Sequence, residues 1–457
     1  MTQWHPLSWR DVPIKQGVTY PDQEVLDATL ARLGQLPPLV TSWEVERLKS
    51  QLAEAQEGRR FVLQGGDCAE TLDDCQPQLI SAKMKILLQM SLVLVHSTMK
   101  PIVRIGRMAG QYAKPRSQAW EVRQTADGEV KLPNYFGDLF NRSDFTPESR
   151  AFDPTLMLTG YQHASMTLNF VRSLAHAGFA DLHHPEQWDL DFFQNAVLSD
   201  ELRDEYQRSS ADLSRALRFM EAMGEVAVDD LSRVDFYTSH EGLNLHYESA
   251  QCHTVPRRQT PYLLTTHLPW IGERTRQLDH AHVEFFRGIA NPVGVKVGPT
   301  ATVEEVLGVV KALNPRDEPG KIVLITRQGV SNVKTTLQPL LEGVRKSGLR
   351  VLWIVDPMHG NTFKSGSGIK TRSFDDIQNE IAWTLDAHEA AGTILGGVHF
   401  EMTGEDVTEC TGGAAGITED DLSLNYATAC DPRLNYRQAL EMAFLLGRRM
   451  RADQARQ

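Results

Sequence analysis

Cysteine is scarce, basic residues are outnumbered, and several common catalytic motifs are missing. The 457-residue chain has five cysteines (Cys68, Cys75, Cys252, Cys410 and Cys430), too few and odd in number for a disulfide framework. That usage fits a reducing, cytoplasmic setting, in which a special cysteine is a ligand or redox centre rather than a staple. No continuous 18-residue apolar run is read from the sequence, so no membrane span is expected. The opening MTQWHPLSWRDVPIKQ resembles neither a signal peptide nor a transit peptide. With 47 Lys+Arg against 59 Asp+Glu and a net charge of −12, the chain lacks the basic surface that broad nucleic-acid binding requires. IGRMAG, with glycines at Gly106 and Gly110, has the wrong spacing for a dinucleotide fingerprint, and there is neither a Walker A motif nor a G-x-S-x-G elbow.

What the chain does have is a repeated alternation. At 41% hydrophobic and 23% charged residues it is globular in composition. Eight short apolar or β-branched runs read as buried strands: Phe61–Gln64, Pro101–Ile105, Val234–Tyr237, Tyr262–Thr265, Pro292–Lys296, Ile322–Ile325, Val351–Ile354 and Gly397–Phe400. Helical patterns, among them Leu79–Leu94, Val303–Ala312 and Ser373–Ala391, separate most of them. Strands alternating with helices mean parallel pairing, and eight suit a closed (β/α)8 TIM barrel.

Two regions exceed a minimal barrel. Residues 1–60 form an N-terminal extension, expected to serve oligomer or regulatory contacts, with a helix at Trp43–Gln56 capped by Ser42. The catalytic barrel then spans 61–457. About 130 residues separate Ile105 from Val234, against roughly 30 for a βαβ unit, so loops and helices at about 114–230 are inserted after the second strand. Amphipathic segments around Ser165–Ala177 and Ser209–Met223 belong to this insertion, as does a loop of mixed polarity at Lys114–Asp153. The pair His183-His184 reads as loop or interface, and Phe219–Met223 as helix packing.

In such barrels the active site lies at the C-terminal ends of the strands. Polar residues follow the proposed strands in two chemical sets. Arg107, Lys114, Arg116, Arg274, Lys296 and Arg327 are cationic, and six cations converging on one face of an acidic protein call for a ligand with several negative groups, phosphates above all. Singly, each also reads as a surface cation paired with a nearby acid. Cys68, His359, Glu401 and Asp431 form a mixed S/N/O set suited to Mn2+, Fe2+, Co2+ or Zn2+. Their spacing carries no local metal signature, and each alone also reads as a buried small residue, a loop histidine, or a solvated or capping acid.

The motifs FVLQGGDCAE (Phe61–Glu70), GRMAGQYAKPRS (Gly106–Ser117), FYTSHE (Phe236–Glu241), WIGERTRQLD (Trp270–Asp279), GVKVGP (Gly294–Pro299), DPMHGNT (Asp356–Thr362), EMTGEDVTEC (Glu401–Cys410) and CDPRLN (Cys430–Asn435) occur in order. Together they closely resemble the type II 3-deoxy-D-arabino-heptulosonate 7-phosphate (DAHP) synthases, from Pro37 onward. The resemblance implies a (β/α)8 barrel and the first step of the shikimate pathway and aromatic amino acid biosynthesis, in which phosphoenolpyruvate, D-erythrose 4-phosphate and water give DAHP and phosphate. It also implies one divalent metal ion, Mn2+ ahead of Co2+, Fe2+, Zn2+ or Cd2+, on Cys68, His359, Glu401 and Asp431, polarising the aldehyde.

By the same resemblance, Arg107 and Lys296 hold the phosphoenolpyruvate carboxylate. Arg274 and Arg327 hold its phosphate, with Glu273 beside them to position the attacking water. Arg116 and Ser117 take the erythrose 4-phosphate phosphate, and Lys114 protonates the developing alkoxide. Family analogy adds a homo-oligomer (dimer or tetramer), allosteric control by aromatic amino acids, and docking of chorismate mutase. Phe136, His280 and Gln328 depart from the commonest pattern without removing a proposed contact. The competing readings are a phosphoenolpyruvate-using synthase of the octulosonate 8-phosphate type and a catalytically silent scaffold homologue.

Overall fold

The computed structural model describes residues 3–125, 128–176, 235–256 and 258–454, with single positions at 204, 208, 211 and 215. His183-His184, Phe219–Met223 and most of Ser209–Met223 lie outside the described residues. Eight parallel strands close into a barrel: β1 (Phe61–Gly66), β2 (Ile102–Arg107), β3 (Phe236–Glu241), β4 (Leu268–Ile271), β5 (Val293–Val297), β6 (Ile322–Thr326), β7 (Leu352–Val355) and β8 (Leu395–Glu401). Each strand pairs with its sequence neighbours, and β8 closes against β1, as right-handed βα units dictate.

Seven of the eight expected strands form close to their expected positions. The fourth does not. Tyr262–Leu263 instead pairs antiparallel with Cys252–His253, and the barrel strand is Leu268–Ile271. Pro269 disguised it, because proline supplies no ladder donor and argues against a central strand. The correction leaves Glu273 and Arg274 where they were expected, just past a strand's C-terminal end.

Helices α1 (Gln23–Leu33) and α2 (Ser42–Gln56) precede the barrel. Thr41, rather than Ser42, caps α2, in a capping box with Glu44 that satisfies orphan N–H groups at the first turn. Helix α2 is amphipathic, and its Leu48, Leu52 and Ala55 are fully buried against Val62, Val103, Val323 and Ile354 from the barrel interior. It therefore stoppers the end of the barrel at which the strands begin.

Helix α3 (Pro77–Thr98) is apolar overall but interrupted by Lys83, Lys85 and Gln89, so it holds no continuous 18-residue apolar run. An 18-residue window within it has mean hydropathy 1.4, apolar enough by length and composition to cross a membrane, yet 67% of that window is buried inside the protein. It packs with the C-terminal helix, Tyr436–Gln454, in one cluster that includes Leu87, Met90, Leu440 and Phe444. The insertion after β2 contains an antiparallel hairpin, Trp120–Thr125 with Gly128–Pro133, within the stretch expected as loop, and then α4 (Leu156–His176). Phe136 is buried, with edge-on ring contacts to Phe140 and Phe152, so the residue that departs from the family pattern serves as packing.

Candidate active site at the C-terminal end of the barrel

Strand register assembles the site. Gly66 pairs with Arg107 on one side and with Glu401 on the other, so the ends of β2 and β8 flank the turn that carries Cys68. Gly66 has φ 145°, and a Cβ there would come within 2.6 Å of the Arg107 carbonyl oxygen, so glycine is required for this close approach. The ligand atoms of Cys68, His359, Glu401 and Asp431 all lie within 4.8 Å of one another. These four residues come from loops or strand ends at β1, β7 and β8 and from the 430s loop.

The donor set fits a divalent ion. His359 Nδ1 lies 2.7 Å from Asp356 Oδ2, an outer-shell contact that turns Nε2 toward the cluster. Nε2 then stands 2.9 Å from the buried Glu401 Oε1, which also lies 3.1 Å from Arg107 Nη2. Arg372, fully buried, donates to Glu401 Oε2 at 2.6 Å and so aims the other oxygen at the histidine. Glu401 is held well below the usual carboxylate range; burial opposes its charge, but His359, Arg372 and Arg107 outweigh that cost. Cys68 Sγ donates to Asp431 Oδ2 at 3.5 Å, and burial above all pushes the Cys68 thiol well up.

Beside the cluster, Lys114 Nζ lies 2.9 Å from Asp431 Oδ2 and 3.2 Å from Cys68 Sγ. Burial would lower its pKa, but Cys68, Cys430, Asp431 and Glu401 together raise it and keep the ammonium charged. Lys296 is paired with Asp356, yet burial and the neighbouring Arg107 pull it down to about 8. Arg107 donates through Nη2 to the Cys68 carbonyl at 3.0 Å.

Cys68, Arg107, Lys114, Glu273, Arg274, Lys296, Arg327, His359 and Asp431 line one cavity. Arg274 and Arg327 face it with no carboxylate partner among the described residues; Arg327 Nη2 donates only to the His359 carbonyl, at 2.8 Å. Arg116 and Ser117 are not among the cavity's walls. Arg116 turns its side chain to the Tyr135 carbonyl, and its N–H donates to Gln16 Oε1 at 2.6 Å. A larger cavity, about 660 Å3, opens near Lys49, Tyr262 and Lys321, at the strand beginnings, where barrels of this kind keep stability rather than chemistry.

Arg372 and Glu241 are among the residues missed from sequence. Arg372 lies on a short hairpin whose pairing no local pattern announces. Glu241 closes the FYTSHE motif and was left without a role. It lines the same cavity, its Oε1 is buried without a partner, and burial raises its pKa against the pull of Lys296, His359, Arg274 and Arg107. A Cβ at position 272 would come within 2.1 Å of that oxygen, so Gly272 makes room for it. Glu273, by contrast, already accepts from the Gly298 N–H at 2.6 Å and from Arg276 at 3.1 Å.

The profile of the Class-II DAHP synthetase family matches residues 4–447. The chain belongs to that family. It is 46% identical to phospho-2-dehydro-3-deoxyheptonate aldolase of Neurospora crassa, over 98% of this chain and 95% of that one. Identity is 45% to the protein of the same name in Streptomyces coelicolor, over 96% of each chain. It is 42% to phospho-2-dehydro-3-deoxyheptonate aldolase AroG of Mycolicibacterium smegmatis, over 94% of this chain and 91% of that one. Enzymes of the family are metal-dependent and catalyse the first step of the shikimate pathway, and this chain is a DAHP synthase by that membership.

Proposed function

We propose that this cavity condenses phosphoenolpyruvate with D-erythrose 4-phosphate, with its residues dividing the work as follows. The observation that carries the reading is a four-donor cluster within 4.8 Å beside two guanidiniums that face the cavity with no acid partner. A divalent ion held by Cys68, His359, Glu401 and Asp431, Mn2+ before Co2+, Fe2+, Zn2+ or Cd2+, supplies Lewis-acid polarisation of an aldehyde when bound.

Arg274 and Arg327 bind the phosphate of phosphoenolpyruvate, and Arg107 with Lys296 binds its carboxylate. Holding both ends sets carbon 3 against the aldehyde carbon, and such positioning contributes several kcal/mol to lowering the barrier, on the order of 7–11 at best. As the carbon–carbon bond forms, the aldehyde oxygen gains charge and Lys114, kept protonated by its acidic neighbours, gives it a proton. Carbon 2 becomes electron-poor and takes up water. Glu273 stands beside the phosphate site, and Glu241 joins it as the carboxylate with a free oxygen to orient that water. The resulting phosphohemiketal expels phosphate. Arg116 and Ser117 remain the candidates for the second phosphate, which requires Arg116 to leave the Tyr135 carbonyl when the sugar phosphate arrives.

Phosphate release, measured with erythrose 4-phosphate and with arabinose 5-phosphate, with and without chelator, tests the reading. Turnover with the four-carbon sugar that stops on chelation is expected. Preference for the five-carbon sugar, or activity indifferent to chelation, overturns it.

A further inference from the structure

Arg107 is held more elaborately than a substrate-binding arginine needs to be. It is 2% exposed; Nη1 lies 2.7 Å from His399 Nε2, Nη2 donates to the Cys68 carbonyl at 3.0 Å and pairs with Glu401 Oε1 at 3.1 Å, and the guanidinium sits 5.2 Å from the Trp270 ring. A guanidinium has donors and no acceptor, so His399 Nε2 must accept, which leaves the histidine proton on Nδ1. Nδ1 is itself buried and has no hydrogen-bond partner. The ring is fully buried on β8, edge-on to Trp270 at 5.6 Å.

A buried N–H without a partner is costly, and a leucine would fill the same space without that cost. The histidine's one polar contact is the acceptor it offers Arg107. A carboxylate in its place would put a second negative charge on an arginine whose Nη2 already lies 3.1 Å from Glu401 Oε1; a neutral imidazole orients the guanidinium without adding one. Arg107 Nε–H remains uncommitted in the cavity wall.

We propose that His399 is a positioning residue for phosphoenolpyruvate: its Nε2 fixes the rotation of the Arg107 guanidinium that receives the substrate carboxylate. This rests on the reading of Arg107 given above. His399 touches neither the sugar phosphate residues nor, by hydrogen bond, the four candidate metal ligands, but Arg107 itself meets Glu401 Oε1 and the Cys68 carbonyl, so bound metal is counted alongside both substrate affinities.

The test uses the full-length, metal-loaded enzyme. His399→Leu removes the acceptor; His399→Gln keeps one near the Nε2 position; His399→Asn places it too short, near Nδ1. Steady-state KM is measured for each substrate, binding of phosphoenolpyruvate alone is followed by tryptophan fluorescence, and bound metal is counted by mass spectrometry. In His399→Leu, KM and Kd for phosphoenolpyruvate rise at least about tenfold, as expected for a lost hydrogen bond from a charged donor, while KM for erythrose 4-phosphate and metal content stay within about twofold. His399→Gln recovers most of the loss and His399→Asn does not, a contrast that decides the matter even where the leucine variant fails to fold. Unchanged phosphoenolpyruvate affinity, equal rises for both substrates, or equal behaviour of Gln and Asn overturns the proposal. Absence of turnover in the unmodified enzyme would instead overturn the functional reading on which it rests.

Discussion

At the scale of single residues, the site works by setting charges against one another in a space that burial has made expensive for all of them. Cys68 shows what each contributes. Its thiol brings the only soft donor to an otherwise N/O set, so Cys68→Ala should lose bound metal and at least about 100-fold in metal-dependent turnover, measured by metal content and phosphate release. Full activity of that variant under chelation would sink the ligand assignment. Lys296 carries a second prediction. It faces Asp356, Arg107 and Glu401, with Glu241 nearby, and burial pulls it to about 8. The ammonium is the form that binds a carboxylate, so it is present below that pH and lost above it. The ratio kcat/KM for phosphoenolpyruvate, which reports the free enzyme, should be flat below about pH 8 and fall by up to tenfold per unit above it. Lys296→Arg, which does not titrate there, should lack that limb whatever its absolute rate.

At the scale of elements, these side chains are only as well placed as the loops that carry them. Glu380, buried on the helix Phe374–Ala391, accepts from the N–H groups of Gln328 and Gly329 at 3.0 and 2.9 Å and from Asn361 Nδ2 at 2.6 Å. It thereby ties the loop of Arg327 to the loop of His359. The two loops nearly touch: a Cβ on Gly360 would come within 2.3 Å of the Gly329 nitrogen. Glu380→Ala strands three buried donors at about 1 kcal/mol or more each. It should lower the thermal midpoint, and kcat/KM should fall by about 100-fold as the loops drift from attack geometry, with partial recovery in Glu380→Gln. A variant with the wild-type midpoint and rate would show that the loops hold themselves. Gln328, a departure from the family pattern, belongs to the same knot, bonding the Val297 carbonyl at 2.9 Å and the Thr336 hydroxyl at 2.6 Å.

Elements also show where sequence reading succeeds and where it stops. Strand ends were legible because a fully buried parallel strand is a short apolar run, and the polar residue after it stands out: Cys68, Arg107, Arg327 and Glu401 were expected at or just past strand ends and lie there. LPWI was illegible because its proline broke the pattern, and Tyr262–Thr265 looked better on propensity alone. Arg372, Glu380 and His399 were illegible for another reason. Each acts through a side chain distant in sequence, and only the closed barrel brings them together.

At the scale of the whole molecule, the N-terminal extension is packed into the barrel. Leu48, Leu52 and Ala55 of α2 are each 0% exposed and meet interior residues of β1, β2, β6 and β7. Those strands begin with apolar side chains that a barrel lacking α2 would leave open to water. Trp4 adds a second tie, donating from Nε1 to the Glu284 carbonyl at 3.1 Å, and Tyr161 binds the Pro37 carbonyl at 2.7 Å, so the extension touches both barrel and insertion. If α2 is a structural stopper, Leu52→Ala should cost about 3 kcal/mol, as a buried leucine truncation does, and lower the chemical denaturation midpoint without changing the slope. Residual activity per folded molecule should be normal, because the catalytic cavity is at the other end of the barrel. Removal of residues 1–56 should yield no cooperatively folded barrel. A truncated chain that unfolded cooperatively and retained turnover would assign α2 to contacts between subunits instead.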